Sequence, residues 1–450
     1  MSKLIKIKRG LDINLAGKAQ KQFTEPNQVQ AYALKPTDFE GLTPKLMVQE
    51  GDLVKAGTPL IVNKYKPEIC FTSPVSGKIQ GIIRGERRRI LEIVIQPDEQ
   101  VEYLQFEKAD PLAIDSERIK KLILKSGLWP TIMQRPFGII ANPSDTPKSI
   151  FISGFDSAPL APDYEFIISG QFDDFQTGIN AFTKLTNGKI HLSIHIEKNN
   201  GGQLINTKNV EIHEFSGPHP SGNIGTQINK IDPINKGEII WYLNPQDVVL
   251  IGRLFNKGIY DAGKIIALSG SEIKTPSYCK IINGVQILPL LQNNVTEGEL
   301  RIVSGNVLTG EQVRLSGYIG FYDNQLTVIP EGNSPEFLGW ALPGFKKYSF
   351  SRTFFSWLNS KKEYRLDANL HGGLRPFVVT GELERVFPMN IYPMQLLKAI
   401  IVEDIELMEK LGIYEVVEED FALCEFINTS KIEIQKLVRQ GLNTMIREFN

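Results

Sequence analysis

The segment Val48-Gln-Glu-Gly-Asp-Leu-Val-Lys-Ala-Gly-Thr-Pro-Leu60, answered by Thr72-Ser-Pro-Val-Ser-Gly-Lys-Ile79, decides the fold of the N-terminal part of this chain. The two stretches read as halves of one small β-sandwich. Glycines at 51, 57 and 77 suit tight turns that need φ > 0, and Val48, Leu53, Val54, Leu60, Val62, Val75 and Ile79 supply the apolar positions of short strands.

This pattern resembles the biotinyl/lipoyl carrier fold. In such carriers the modified lysine sits at a hairpin tip seven residues before the Ser-Pro-Val turn, and that count lands on Lys66, flanked here by Tyr65 and Pro67 rather than by the usual carrier neighbours. Two uses of the fold follow: a prosthetic arm on Lys66, or a rigid packing module without one. The fold alone does not choose between them.

With 450 residues, 42% of them hydrophobic, the chain can bury several cores, and at roughly 100 to 200 residues per domain it is expected to hold about three or four. Fifty Lys plus Arg against 51 Asp plus Glu leave a formal charge of -1, which gives no field to attract nucleic acid or an anionic membrane. The basic run Arg84, Arg87, Arg88 and Arg89 reads as a solvated turn. Cys70, Cys279 and Cys424 form no Cys-x-x-Cys pair, so neither a disulfide framework nor a zinc or iron-sulfur site is expected, in keeping with a reducing cytoplasm. No stretch suits a signal peptide or a membrane span, so a multidomain soluble protein is expected.

β structure is expected from Val48 to about Gln96, ending in the strand Ile90–Ile95. Ser116 reads as the N-cap of a helix over 117–126, with Ile119, Leu122 and Ile123 inward and Gly127 at the stop position. The apolar runs Ser149–Ser153, Glu165–Ser169 and Val248–Gly252 read as short buried strands, and Phe172–Leu185 as a helix with Phe175, Ile179 and Phe182 inward. That alternation favours an open α/β sheet. From Gly263 to about Pro330 the chain turns β-rich, and from Ser334 to Pro393 it is rich in loops. Leu397, Ile401, Ile405 and Met408 recur at helical spacing up to Gly412, and Ser430-Lys-Ile-Glu433 has the form of a capping box ahead of a last helix carrying Ile434, Leu437, Gly441 and Met445.

Candidate chemistry is sparse. His191 and His195 alternate with apolar residues as in a half-exposed strand and would sit roughly 13 Å apart, too far to share a metal. Asp173 and Asp174 fit the dipole of a helix start. His219 lies in the Gly/Pro-dense loop Ser216–Gly225, where backbone amides can approach a ligand or simply form turns. No nucleotide-binding glycine motif, phosphate loop, nucleophile elbow or metalloprotease motif is present, so residues alone identify no catalytic site.

Across its whole length the chain nevertheless resembles the NqrA family, one of the component chains of sodium-translocating NADH:quinone oxidoreductases. The resemblance is carried by Lys8-Arg-Gly-Leu-Asp-Ile13, Ser157-Ala-Pro-Leu-Ala-Pro-Asp-Tyr164, His219-Pro-Ser-Gly-Asn-Ile-Gly225, Ile231-Asp-Pro233 and Trp241. It continues through Gln246-Asp-Val248, Ile251-Gly-Arg-Leu-Phe255, His371-Gly-Gly373, Phe387-Pro-Met-Asn390 and Glu418 to Cys424, with Gln227 departing where a histidine is expected. The family in turn resembles the RnfC component of the Rnf complex and the flavin-carrying component of complex I. Those relatives carry a Gly-rich flavin loop where this chain has Gly127–Gly138 with bulky Trp129, Met133 and Arg135, and the cluster cysteines of the Rnf relative would fall near Phe387–Met394 and Gly412–Lys431, where only Cys424 remains.

The resemblance implies four parts: an N-terminal region with a barrel-sandwich domain over 1–102, a Rossmann-like α/β domain lacking the flavin loop over 103–256, a β-grasp-like (SLBB-type) domain over 257–333, and a helical C-terminal domain over 334–450 like a ferredoxin domain without cluster cysteines. It also implies a chain without its own cofactor, with FMN, FAD, riboflavin and iron-sulfur centres on other subunits. The expected place is the cytoplasmic side of the bacterial inner membrane, held by partner subunits, chief among them the membrane-embedded NqrB. The alternatives are a flavin- and NADH-binding dehydrogenase component, or a lipoyl/biotin-type carrier. If quinone touches this chain, the expected groups are Trp129, Met133 and Phe137 for ring packing, Arg135 as a donor, and His219 from the second loop. The aromatic segment Phe345–Leu358 either packs on a membrane-embedded partner or covers the C-terminal core.

Overall fold

A computed structural model describes residues 4–197, 202–333, 337–339, 341–359 and 361–449. Ser334, the expected start of the loop-rich stretch, lies outside the described residues.

The chain opens with β1 (Leu4–Lys6) and β2 (Gln20–Thr24), which join sheets formed much later in the sequence. Seven strands then make the barrel-sandwich: β3 (Tyr32–Leu34), β4 (Pro44–Leu46), β5 (Leu53–Val54), β6 (Pro59–Asn63), β7 (Cys70–Thr72), β8 (Gly77–Arg84) and β9 (Ile90–Pro97). They form two small sheets, ordered β3-β9-β8-β5 and β4-β6-β7. Glycines 51, 57 and 77 have positive φ, and a side chain on Gly77 would collide with the Gln96 carbonyl. Val48, Val54, Leu60, Val75 and Ile79 are core residues, whereas Leu53 points outward at 81% exposure. Lys66 is half-buried in the β6–β7 turn, its carbonyl accepting from Ile69 N.

The α/β part comprises α1 (Ser116–Ser126), β10 (Met133–Arg135), β11 (Ile139–Ile140), β12 (Ser149–Ser153), α2 (Tyr164–Ile168), α3 (Phe172–Phe182), β13 (Ile190–His195), β14 (Glu211–Ser216), α4 (Ile224–Ile231), β15 (Ile240–Leu243) and α5 (Pro245–Lys257). Its sheet runs β1-β14-β13-β12-β15-β10-β11, parallel through β15 and antiparallel at β10 and β11. Three local expectations are corrected here. Asp115, not Ser116, caps α1, its carboxylate accepting from Arg118 N, while Gly127 does close the helix in a left-handed conformation. Glu165–Ser169 is not a strand: Asp163 caps a short helix there. Val248–Gly252 lies inside α5, which Asn244 caps and Gly258 ends. Its uninterrupted apolar run reads like a strand because α5 is buried nearly all round, wedged against α3 and the sheet that follows it. Gly178 and Gly252 allow that close helix contact: a Cβ on Gly252 would lie 1.7 Å from the Asp174 carbonyl oxygen.

The third part is a sheet of β16 (Gly263–Ser269), β17 (Ser277–Ile282), β18 (Leu300–Ser304), β19 (Glu311–Val313) and β20 (Gln325–Pro330), with the short α6 (Leu288–Leu291) and with β2 added at the edge. The C-terminal helices are α7 (Leu383–Val386), α8 (Pro393–Ile401), α9 (Ile405–Lys410), α10 (Ala422–Ile427) and α11 (Ile434–Phe449) around a separate core. The expected continuous helix to Gly412 breaks after Ile401, and Asp404 caps α9 instead. The Ser430 capping box does not form, because α11 begins only at Ile434 and the Ser430 hydroxyl donates to the Pro376 carbonyl.

Candidate functional site

In an open parallel sheet, loops gather beyond the carboxyl ends of the strands and leave a crevice there. Here the loops after β12 (154–163) and β14 (217–223) meet at that edge. His219 is 4% exposed, with Nδ1 3.0 Å from Ser157 Oγ, and that hydroxyl oxygen accepts from Gly222 N at 2.8 Å. The His219 main chain is tied to the N-terminal segment: its N–H donates to Asp12 Oδ1 at 2.9 Å and its carbonyl accepts from Leu11 N at 2.8 Å. Gln227, on α4, donates to Ser153 Oγ at 2.7 Å and to the Ser221 carbonyl, fixing the loop to the end of β12.

The segment 127–138 runs along the flank of the sheet, antiparallel β10 setting Met133 opposite Tyr242 and Arg135 opposite Ile240 at the start of β15, and its side chains turn inward. Trp129 is fully buried, donating from Nε1 to the Ala141 carbonyl at 2.7 Å and meeting Trp241 edge-on at 5.5 Å. Met133 and Phe137 are half-buried, and Phe137 adopts φ +83° with its ring 6.0 Å from that of Tyr414. Arg135 is fully buried. Its Nη1 donates to Asp420 Oδ2 at 2.6 Å and to the Glu415 carbonyl at 3.1 Å. Burial opposes the charge of this guanidinium, yet the Asp420 carboxylate outweighs that penalty and holds its pKa above the ordinary value.

The partner of Arg135 comes from the C-terminal part, which covers the crevice. Asn229 on α4 donates to Glu415 Oε2 at 3.0 Å, Arg439 pairs with Glu418 and donates to the Phe137 carbonyl at 2.8 Å, and Gly225 has no room for a side chain beside Asp420. Glu419 is pushed up to about 7, first by burial and then by its neighbour Asp420. Among the described residues Arg135 Nε and Nη2, Asp420 Oδ1, Asn223 Nδ2 and Gln227 Oε1 are buried without a hydrogen-bonding partner.

Sequence reasoning grouped Arg135 with His219 beside one cleft; the structure ties Arg135 to Asp420 and Glu415 and His219 to Ser157 and Asp12, partners far from them in the chain that spacing did not reveal. It also misjudged β13. His191 and His195 are buried, not solvated, because β13 is a central parallel strand covered on both faces. His191 Nδ1 lies 2.9 Å from Nε2 of His213 on β14. Glu211 and His213, two apart, share one face of that strand, the sequence signal that could have revealed this contact.

Three family models match in order: the NqrA N-terminal barrel-sandwich hybrid domain over residues 5–98, the NqrA second alpha/beta domain over 114–260, and an SLBB-type model described as the NQRA C-terminal domain over 265–314. The A subunit of a Na(+)-translocating NADH-quinone reductase from Yersinia pestis bv. Antiqua is 36% identical over 448 residues, covering 99% of this chain and 100% of the relative. The chain belongs to the NqrA family. Proteins of the same description from Histophilus somni (36% over 448 residues) and Haemophilus influenzae (36% over 450 residues) cover it equally, each matched over 100% of its length. A crystal structure of NAD+-reducing [NiFe]-hydrogenase in the H2-reduced state aligns with a TM-score of 0.39 at 11% identity, over 75% of this chain and 62% of that one. In this NqrA chain the crevice edge is where the segments Ser157–Tyr164, His219–Gly225 and Glu418–Cys424, which carried the resemblance, converge.

Proposed function

We propose that this chain is the NqrA component of a sodium-translocating NADH:quinone reductase, a complex that passes electrons from NADH to quinone and couples this to Na+ movement. The observation that carries the reading is full-length similarity to proteins of that name, with the family domains in the same order. The chain serves as a scaffold on the cytoplasmic side of the inner membrane, without a flavin or cluster of its own; FMN, FAD, riboflavin and iron-sulfur centres belong to other subunits. Support comes from the crevice, where Arg135, Asp420 and the rings of the 127–138 segment fill the space beside the sheet, and from Cys424, a lone thiol whose pKa burial pushes up. Quinone association is favoured at the flank beside β10, where Met133 and Phe137 stay half-buried as ring-packing groups, while Arg135 lies enclosed beneath them in its pair with Asp420.

No helix among the described residues is long and apolar enough to cross a membrane, so attachment rests on protein contacts. Phe337, Phe345, Phe355, Trp357, Leu358 and Leu374 expose 47 to 89% of their surface along one loop-rich stretch, which suits docking on the membrane-embedded NqrB. Replacing Phe354, Phe355 and Trp357 with serine should release this chain from the purified complex while its own unfolding transition is unchanged. The isolated chain should show no flavin absorbance or covalent mass increment, and should bind a water-soluble quinone analogue more tightly than its Phe137→Ala variant. Retention of the triple variant in the complex, or a bound flavin, would refute the corresponding part of the reading.

A further inference from the structure

The buried pair His191 and His213 lies on the amino-terminal half of two adjacent parallel strands, away from the carboxyl-edge crevice. Pairing of β13 with β14 sets His191 opposite Glu211 and Ser193 opposite His213. His191 Nδ1 is 2.9 Å from His213 Nε2 and 3.8 Å from Glu211 Oε2, and the three ligand atoms all lie within 4.8 Å of one another. The two residues are 5% and 8% exposed, held by the strands and, for His191, by the Phe151 ring at 4.6 Å. Glu211 stands at the rim with its side chain 44% exposed.

We propose that His191, His213 and Glu211 form a binding site for a divalent transition metal of the zinc class. Two imidazoles and one carboxylate suit zinc, cobalt or nickel, whereas magnesium and calcium require mostly oxygen ligands. At metal–nitrogen distances of about 2.0–2.1 Å, two nitrogens on a tetrahedral ion stand roughly 3.3 Å apart, so the rings must separate by a few tenths of an ångström and tilt until both lone pairs converge on the ion. In the hydrogen-bonded pair one ring donates its N–H to the other. On binding, the donor ring moves that proton to its second nitrogen, and both then present a lone pair to the ion without net proton release. Burial lowers the pKa of both rings, to about 4 for His191, which keeps them neutral near pH 7.

Lys189 is the built-in competitor. Its ammonium lies 2.8 Å from Glu211 Oε2 on an exposed side chain, and it must swing away or move to the other carboxylate oxygen when the ion binds. The fourth coordination position opens beside Glu211, toward solvent. Such an ion would staple β13 to β14 and leave the crevice untouched.

The test uses the full chain, stripped with a chelator and titrated with Zn2+ by calorimetry and with Co2+ by its visible d–d absorption. One equivalent per chain is expected, with the intense bands of four-coordinate cobalt. Glu211→Gln should weaken binding about tenfold or more, and His213→Ala more strongly, by the usual sensitivity of metal sites. Lys189→Ala should tighten binding severalfold, an effect that loss of fold cannot imitate. Glu211 and Lys189 are exposed enough for both variants to fold even if the histidine variant does not. No uptake by the stripped wild-type chain, or an affinity unmoved by both Glu211→Gln and Lys189→Ala, overturns the proposal.

Discussion

Arg135 and Asp420 lie 285 positions apart in sequence and are each about 1% exposed at the side chain, with 2.6 Å between their charged atoms. A buried pair of this kind adds little net stability over an apolar substitute, but removing one partner strands the other charge in a medium that solvates it poorly. Arg135→Ala is therefore expected to destabilise the chain by about 3–5 kcal/mol in urea unfolding, whereas Arg135→Met combined with Asp420→Leu should recover most of that loss. Equal destabilisation in the single and double variants would show that the cost comes from lost packing and not from an orphaned charge. Arg135 reads from sequence as a donor facing a ligand; its long-range carboxylate partner cannot be inferred from spacing, because nothing local links residue 135 to the first turns after Gly412.

At the scale of elements, α3 and α5 approach so closely that two glycines replace side chains at their crossing. Gly252→Ala would place a methyl group 1.7 Å from the Asp174 carbonyl oxygen, and the helices must separate to admit it. A loss of about 1–3 kcal/mol is expected, while Gly170→Ala, with nothing within 4 Å of its added carbon, should leave the urea midpoint almost unchanged. Indistinguishable midpoints for the two variants would remove the glycine contact from the account of this core. The same helix shows where sequence reading stops. Turn glycines 51, 57, 77 and 127 and the inward face of α3 were legible because the signal is local: a positive φ, or a period of 3.6 against solvent. Val248–Gly252 was not, because burial on all sides erases the period, and a short apolar run then fits a strand as well as a helix. His191 and His195 failed for the same reason in reverse: alternation looked like one wet face, but α-helical and loop layers cover both sides of β13.

At the scale of the molecule, both ends of the chain fold back on the α/β sheet. Residues 4–6 extend it as the edge strand β1, Leu11 and Asp12 bind the His219 loop, β2 continues into the neighbouring sheet, and residues 413–420 cover the crevice. This closure carries an acidic burden at the point where Glu418, Glu419 and Asp420 meet Asp156, with Arg135 as the buried cation. Glu419 is held at about 7, above its usual 4.5, so the folded state keeps a proton that the unfolded chain has already lost. Its contribution to stability is fully present below about pH 4.5 and is lost as pH rises through about 7. Between about pH 5 and pH 8 the wild-type chain should therefore lose about 1–3 kcal/mol from this group, and Glu419→Gln, which cannot ionise, should flatten that part of the profile. Urea unfolding at the two pH values checks it, with proteolysis between residues 400 and 421 as a local readout of whether the C-terminal cover loosens. A variant that keeps the full wild-type pH dependence would place the titration elsewhere, and would leave the cover held by the Arg135–Asp420 pair and the Asn229–Glu415 bond.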